Sequence, residues 1–557
     1  MDRLDSQPRP CQRFGGLVLF AVVPALAASD GGASLVTARA AIEEDGARAH
    51  VEYLASPELG GRDSPSRGLM LAAEYVARQF ADAGLAYAPD ALDAWKRGGD
   101  GEPPAWSQRE ASEAPGTYLR PFRVDELART PLHRPVPDAC SLLLEGSADG
   151  ELQFVYGEDF VPIGGCNGDV RGELVFAGFG ISSSKEKYND FKGLRVRGRV
   201  ALVLDGEPRH RKRFDGPEVT RSASLWTKLH ELERAGALGV LVVRRTPESA
   251  ESDGAASGPL GFRHTYAAWV GAERDRRYED LLPALEITEA CATALLGTDV
   301  AKLASKIDRT ARPKKLKLRD RTVSIRARSE PGSVVLHNVV GMVRGSDPEL
   351  ADEFVIIGAH YDHLGVDARG RIGFGADDNA SGTAAVIETA QAMALAKPRR
   401  SVLFCLFAAE EDGLVGSRRL CQDLPVDESK IVAMLNMDMI GRGDAKEVVL
   451  LGIKQNPKLE KVVERAKRMS KTGVRKLKIC PDPGLFERSD HFAFHELGIP
   501  TVFFFENYPL GKNKDYHTWR DTVDLVDMKK VVNTARLAFN TAWILANDDD
   551  RPPRPRN

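Results

Sequence analysis

From Phe354 onward, short uninterrupted apolar runs alternate with longer segments whose apolar residues recur at helical spacing. The runs Phe354–Gly358, Ser401–Phe407, Lys430–Leu435 and Thr501–Phe505 predict strands buried on both faces, because none shows the polar alternation of a half-exposed strand. A helix is predicted from about Ser381, with Ala384, Ala385, Ile387, Glu388 and Ala392 along it. Strand alternating with helix implies an α/β fold, a mostly parallel mixed sheet with helices on both faces.

Earlier in the chain the pattern differs. Residues 37–86 read as helical, with Val51 and Leu54, then Leu69, Ala72, Ala73, Val76 and Phe80 at helix spacing, and a turn at Leu59-Gly60-Gly61-Arg62-Asp63 between them. A polar, Pro- and Gly-rich excursion over about 89–116 precedes a strand at Thr117–Val124. Short β-rich runs begin near Gly172: Glu173–Phe179, Arg199–Leu204 and Gly239–Val243, with a helix at about Ser224–Ala235. These predict a compact insert of its own over 155–305, and strands resume at Leu316–Ala327.

At 557 residues the chain exceeds what one core usually fills, so more than one domain is expected. The expected division is a leader at 1–27, the first part of the main domain at 28–154, the insert at 155–305, the rest of the main domain at 306–548, and a disordered Asp-, Pro- and Arg-rich tail at 549–557. Arg3, Arg9 and Arg13, an apolar run Gly15–Val23 and the small-residue step Ala25-Leu26-Ala27 form the layout of a secretory signal, which predicts export to the periplasm or the outside. That run is too short for a mature membrane span, and no second candidate exists. A net charge of −3 points to neither nucleic acid nor an acidic membrane as partner. The seven cysteines form no C-x-x-C pair, so a zinc ribbon is unsupported; Cys405 reads as a core residue, and one or two disulfides are open to an exported chain.

The chemistry lies where the strands end. His360 and Asp362, Asp377 and Asp378, Glu410 and Glu411, Asp438 and His517 all follow a strand or a turn on the same side of the expected sheet. In such sheets ligands bind beyond the carboxyl ends of the strands. Two histidines, two aspartates and a glutamate suit a pair of zinc ions, which need one shared ligand and sit roughly 3.5–4 Å apart. The expected shared ligand is Asp377, set between Gly375-Ala376 and Ser381-Gly382; His360 and Asp438 would complete one site, Glu411 and His517 the other. Asp362 would orient His360 through its second nitrogen, and Glu410 would act as general base. His363, His491 and His495 are read as structural or supporting residues.

The segments G-A-H-Y-D-H-L-G (358–365), G-A-D-D-N-A-S-G-T-A (375–384), F-A-A-E-E-D-G-L-V-G-S (407–417), L-N-M-D-M-I-G-R (435–442), S-D-H-x-x-F (489–494), G-I-P (498–500) and Y-H-T-x-x-D-T (516–522) resemble the M28 family of zinc peptidases. L-A-S-P-E-L-G-G-R (54–62) is similar to that family's N-terminal segment. The resemblance implies two zinc ions, the ligand set above with Asp377 bridging, Glu410 as base, peptide substrates, and a cis peptide at Asp377–Asp378. Tyr516, ahead of His517, is a candidate oxyanion donor, as some relatives give a nearby tyrosine, or else a residue packed under the ligand loop. The segments 174–181, 188–204 and 235–243 resemble a protease-associated (PA) domain, so the 155–305 insert is expected to be one. The expected activity is that of an exported aminopeptidase. A carboxypeptidase using Arg442 or Arg488 to clamp a carboxylate, a one-metal glutaminyl cyclase, and a receptor-like binding protein are the alternatives.

Overall fold

In a computed structural model, the chain is described over residues 34–88, 118–127, 130–147, 150–210, 212–214, 220–245, 282–318, 320–367, 370–469, 472–506 and 508–555. The expected leader at 1–27 and the excursion at 89–116 lie outside these residues.

The main sheet has nine strands. Its order runs Ala86–Tyr87, Val334–Val343, Ser401–Phe407, Phe354–His360, Ile431–Met437, Thr501–Phe505, Glu447–Leu451 and Lys476–Ile479, with Leu119–Val124 also pairing Val334–Val343. The central strands Ser401–Phe407, Phe354–His360, Ile431–Met437 and Thr501–Phe505 run parallel. The pairs at either flank bring in antiparallel partners. Every residue of those four strands is buried, as expected of a sheet covered on both faces.

The helix Gly382–Ala396 explains its own position. It is rich in alanine and buried on nearly all sides, so it can lie close against both the sheet and the helices Leu35–Ala40, Glu44–Leu54 and Met528–Asn547. Its side chains join one core with Val51, Leu54, Val76, Phe80, Val355, Ile357, Phe404 and Leu435. Each large aliphatic side chain fully withdrawn from water there contributes roughly 1.5–3 kcal/mol before entropy is counted.

A second sheet of eight strands has the order Gly150–Gln153, Ser141–Ser147, Thr322–Ala327, Gly168–Phe176, Val200–Leu204, Gly239–Val243, Ala284–Ile287 and Phe160–Pro162. It carries its own apolar clusters on its two faces, with Phe176, Leu202, Leu241 and Leu285 in one and Val175, Ala201, Val203 and Leu229 in the other. The unit therefore reaches beyond the expected limits of 155–305. Ser141–Ser147 and Thr322–Ala327 are strands of the same ladder, because Leu142, Leu144, Val323 and Ile325 complete its core.

The expected disordered tail is ordered as far as it is described. Arg551 donates to the carbonyl oxygens of Ser429 and Ile431 and pairs with Glu353; Arg554 pairs with Glu428; the Pro553 carbonyl accepts from Asn456. Arg400, buried at the start of its strand, donates to the carbonyls of Leu545, Asp548 and Asp549. Composition suggested a chain with nothing to bury, but its arginines satisfy backbone carbonyls and carboxylates at the amino ends of the central strands. The six cysteines among the described residues are all free thiols, with Cys405 buried in its strand as expected.

Candidate metal centre

The parallel strands deliver their last residues to one place. His360 ends the strand Phe354–His360, and Asp438 follows directly on Ile431–Met437. Glu410 and Glu411 follow Ser401–Phe407 across a short turn, and His517 stands in the loop after Thr501–Phe505. Ala409, Met439 and His517 adopt left-handed backbone conformations, with φ of 55°, 49° and 55°. Such conformations cost non-glycine residues on the order of 1 kcal/mol or more, and the packing around them holds them there.

His360 Nε2 lies 3.3 Å from Asp438 Oδ1 and 3.4 Å from Asp378 Oδ1. His517 Nε2 lies 3.0 Å from Asp378 Oδ2 and 3.0 Å from Glu411 Oε2, and His363 Nδ1 lies 2.9 Å from Glu411 Oε1. The carboxylate of Asp378 thus faces an imidazole with each oxygen. Donor atoms of His360, Asp378 and Asp438 form one close group and those of His363, Asp378 and Glu411 a second, all within 4.8 Å in each group.

Asp378, not Asp377, is the residue common to both groups, which corrects the expected bridging residue. The carboxylate of Asp377 turns under the site. It accepts the Gly441 N–H at 2.7 Å, stands 3.7 Å from Arg442 Nε, and shares a hydrogen bond with Glu506. Burial, with Glu506 and Asp521 beside it and Arg442 opposing, pushes its carboxyl well above the usual range. The cause is the backbone. Residues 376–381 form a kinked turn in which Asp378 (φ −107°, ψ 94°) and Asn379 (φ −130°, ψ 44°) leave helical geometry, so adjacent side chains point to opposite sides. The cis peptide is Asp378–Asn379, one step beyond the expected Asp377–Asp378.

The supporting contacts fix each donor. Asp362 accepts the N–H groups of Glu410 and Glu411 at 3.1 and 3.2 Å and stands 3.6 Å from His360 Nδ1, on the nitrogen expected of it. Ser489 donates to Asp438 Oδ2 at 2.8 Å and accepts from Asn436. Asp521 accepts the N–H groups of both Asp377 and Asp378 and pairs with Arg442 at 2.9 Å. Asn379 clasps the strand end opposite, donating to the Met437 carbonyl and accepting from Met439 N–H. Gly382 has no room for a side chain, since a Cβ there would lie 2.3 Å from both the Met437 carbonyl and Asn379 Oδ1.

Sequence reasoning set aside His363 as a supporting residue, yet its ring reaches Glu411 and faces His517 edge-on with centroids 5.9 Å apart. The signal was present in its spacing three residues from His360, both in the run H-Y-D-H. The holding role of Asp521 was also missed, although it lies in the quoted Y-H-T-x-x-D-T segment. His491 stays out of the cluster, packed between Phe486 and Phe503. His495 likewise lies against Phe486.

The electrostatics favour positive charge. Burial works against a charged His517, but Glu411 and Asp378 outweigh it and raise the imidazole to about 9. Burial likewise opposes ionisation of Glu411, and His517 and His363 overcome it and draw the carboxyl down to about 2. Glu410 stands apart: burial, with Glu411 and Asp438 adding and His360 opposing, pushes it well above the usual range. Its Oε2 is 3.9 Å from His360 Nε2.

Tyr516 stacks on the His517 ring at 3.7 Å, and its phenol accepts a hydrogen bond from the exposed guanidinium of Arg488 at 3.1 Å. Tyr516 also packs against a buried apolar cluster that includes Met439, Leu451, Leu485, Phe486, Phe503 and Phe505. Arg442 is committed below the site to Asp515 and Asp521, each at 2.9 Å.

The model of peptidase family M28 matches residues 338–542. A probable leucine aminopeptidase of Trichophyton verrucosum (strain HKI 0517) is 29% identical over 211 residues, 37% of this chain and 57% of the relative. A glutamate carboxypeptidase 2 homolog of Caenorhabditis elegans is 25% identical over 433 residues, 63% of this chain and 52% of the relative. The chain thus spans a little over half the length of the curated relatives it matches. Among solved structures, a zinc aminopeptidase from Bacillus subtilis is 16% identical with a TM-score of 0.49, covering 91% of this chain and 96% of that one. The aminopeptidase from Aneurinibacillus sp. strain AM-1 is 21% identical with a TM-score of 0.45, covering 94% and 99%. Every residue of the two donor groups lies inside the matched segment, so the chain resembles peptidase family M28 over the part that carries the cluster.

Proposed function

We propose that the chain is a di-zinc exopeptidase, an aminopeptidase that removes N-terminal residues from peptides. The observation that carries this reading is the Asp378 carboxylate, which turns one oxygen to His360 and the other to His517. The donor set fits two borderline divalent ions, since imidazole nitrogens and carboxylate oxygens are the ligands zinc takes. His360, Asp378 and Asp438 would hold one ion; Asp378, Glu411 and His517 the other, with His363 in reach of Glu411. Two such ions would polarise the scissile carbonyl and acidify the attacking water.

The chain's own residues supply the rest. Glu410 takes a proton from the attacking water at its carboxylate and returns it to the leaving amine, a role for which a buried carboxyl at the edge of the donor cluster is suited. Asp362 keeps Glu410 and Glu411 in place through their backbone N–H groups and steadies the His360 ring from behind. Tyr516, stacked on the His517 ring, would donate its phenol proton to the developing oxyanion. The carboxylates around the site favour a free α-amino group.

Carboxypeptidase action is the second reading. Arg442 does not serve it, because its guanidinium is held by Asp515 and Asp521, whereas Arg488 is exposed beside Tyr516. Export follows from the leader-like residues 1–27, and the second sheet is read as a protease-associated insert. Among the described residues no helix is long and apolar enough to cross a membrane.

Dipeptides that are free, N-blocked or C-blocked, offered to zinc-loaded and chelated protein, test the proposal. Metal-dependent cleavage that needs a free N-terminus supports it. Cleavage that survives N-blocking but needs a free carboxylate moves the assignment to carboxypeptidase, and no cleavage by metal-replete protein refutes a peptidase reading.

A further inference from the structure

The turn at Leu59–Asp63 lies far upstream of the matched peptidase segment, yet it reaches the underside of the metal centre. Gly60, Gly61 and Arg62 are three consecutive left-handed residues, with φ of 53°, 79° and 53°. A side chain at Gly61 is excluded on two counts: its φ, and the carbonyls of Gly365 and Gly373, which would lie 2.5 and 2.6 Å from a Cβ. The turn is sewn to the His360 loop by His363 N–H to the Arg62 carbonyl and Gly365 N–H to the Gly61 carbonyl.

The Arg62 side chain is wholly buried. Its Nε donates to the Tyr361 carbonyl at 2.8 Å, Nη1 to the carbonyls of Phe374 at 2.9 Å and Leu54, and Nη2 to the Gly375 carbonyl at 2.9 Å. Tyr361 follows His360 and precedes Asp362. Phe374 and Gly375 lead into the kinked turn that carries Asp378. One guanidinium therefore ties together the two backbone segments that bear donors of both metal groups. Its charge also lies among the carboxylates of Asp362, Asp378, Asp521 and Glu411. The guanidinium spreads five N–H donors over three nitrogens and so serves four carbonyls, whereas an ammonium has three donors on a single nitrogen and cannot reach all four.

We infer that Arg62 is a positioning residue of the metal centre, which sets the affinity for divalent metal by holding the His360–His363 and Phe374–Asp378 segments in register. It touches neither metal nor substrate in this role. The inference rests on the two-metal reading above, and the experiment separates the two.

Zinc binding to metal-stripped protein is titrated calorimetrically for wild type, Arg62→Lys and Arg62→Gln, with circular dichroism of each metal-stripped protein. Lysine keeps the charge and loses the fork; glutamine keeps two donors and loses the charge. The expected result is folded variants in which at least one of two zinc equivalents binds about 10–100-fold more weakly, as when a residue supporting a ligand is lost. Recovery should follow geometry rather than charge, with lysine no better than glutamine. Wild-type affinity in Arg62→Lys overturns the inference, as does loss of folded structure in both variants, which would make Arg62 a residue of the fold alone. Wild-type protein that binds no zinc instead overturns the two-metal reading.

Discussion

Asp377 and Asp378 are neighbours of the same type, and only their surroundings separate them. Asp378 faces two imidazoles, whereas Asp377 faces a backbone N–H, Arg442 and Glu506. Asp378→Asn should therefore bring the zinc content of purified protein, measured by atomic absorption, from two equivalents to one or none. Asp377→Asn can still accept from Gly441 and donate to Glu506, and it should keep both. The opposite pattern would return the bridging role to Asp377. Glu410→Gln preserves volume and removes the proposed base, so turnover should fall by roughly 10²–10⁴-fold or more with metal content unchanged. Near-normal turnover in the metal-replete variant would remove Glu410 from the mechanism. The sequence did not distinguish the two aspartates because their difference is conformational: a kink at Asp378 and Asn379 reverses which side each carboxylate faces. His363 was similarly hidden, since a second histidine three residues after a ligand reads equally well as support.

At the scale of elements the sequence was far more legible. Strands Ser401–Phe407 and Thr501–Phe505 run between the residues expected, because an unbroken apolar run bounded by polar turns leaves little choice. Phe354–His360 and Ile431–Met437 end two residues further on than expected, carrying the apolar ladder up to the donor residues themselves. The strand expected from Leu316 begins only at Thr322, where pairing to Ser141–Ser147 and Gly168–Phe176 starts. A long-range ladder of this kind has no local signature. The short helix His491–Glu496 carries a prediction of its own. Burial between Phe486 and Phe503 pulls His491 down to about 3, against about 6.5 for an exposed imidazole. Above pH 6.5 neither the folded nor the unfolded state binds this proton, so the residue adds no pH dependence. Below that value the unfolded state takes up the proton and the folded state refuses it, so stability falls with pH by about 1.4 kcal/mol per unit until about pH 3. Denaturant unfolding at pH 7 and pH 5 should show wild type losing about 2 kcal/mol more than His491→Phe over that interval. Equal losses would show that His491 takes up its proton in the folded protein too.

Across the whole molecule, the C-terminal tail acts on the sheet from the end opposite the donors. Arg551 and Arg554 hold Ile431, Ser429, Glu353 and Glu428, all at or beside the amino ends of the central strands. Removal of residues 549–557 should lower the melting temperature by several degrees while leaving kcat well below that temperature close to wild type, as thermal unfolding and steady-state assay would show. An unchanged melting temperature would mean that these contacts contribute nothing net. Pro- and Arg-rich composition concealed this strap, because its partners are backbone carbonyls and carboxylates far away in sequence, which no local pattern advertises.

The same strap fixes the place of residues 551–555. Seven-residue strands such as Phe354–His360 place the strap about 20 Å from the donor cluster, at the opposite end of the strands. A tether or affinity handle joined at residue 555 would therefore start at the end of the sheet remote from the donor cluster, and protein captured on a surface through it would keep that cluster turned from the surface.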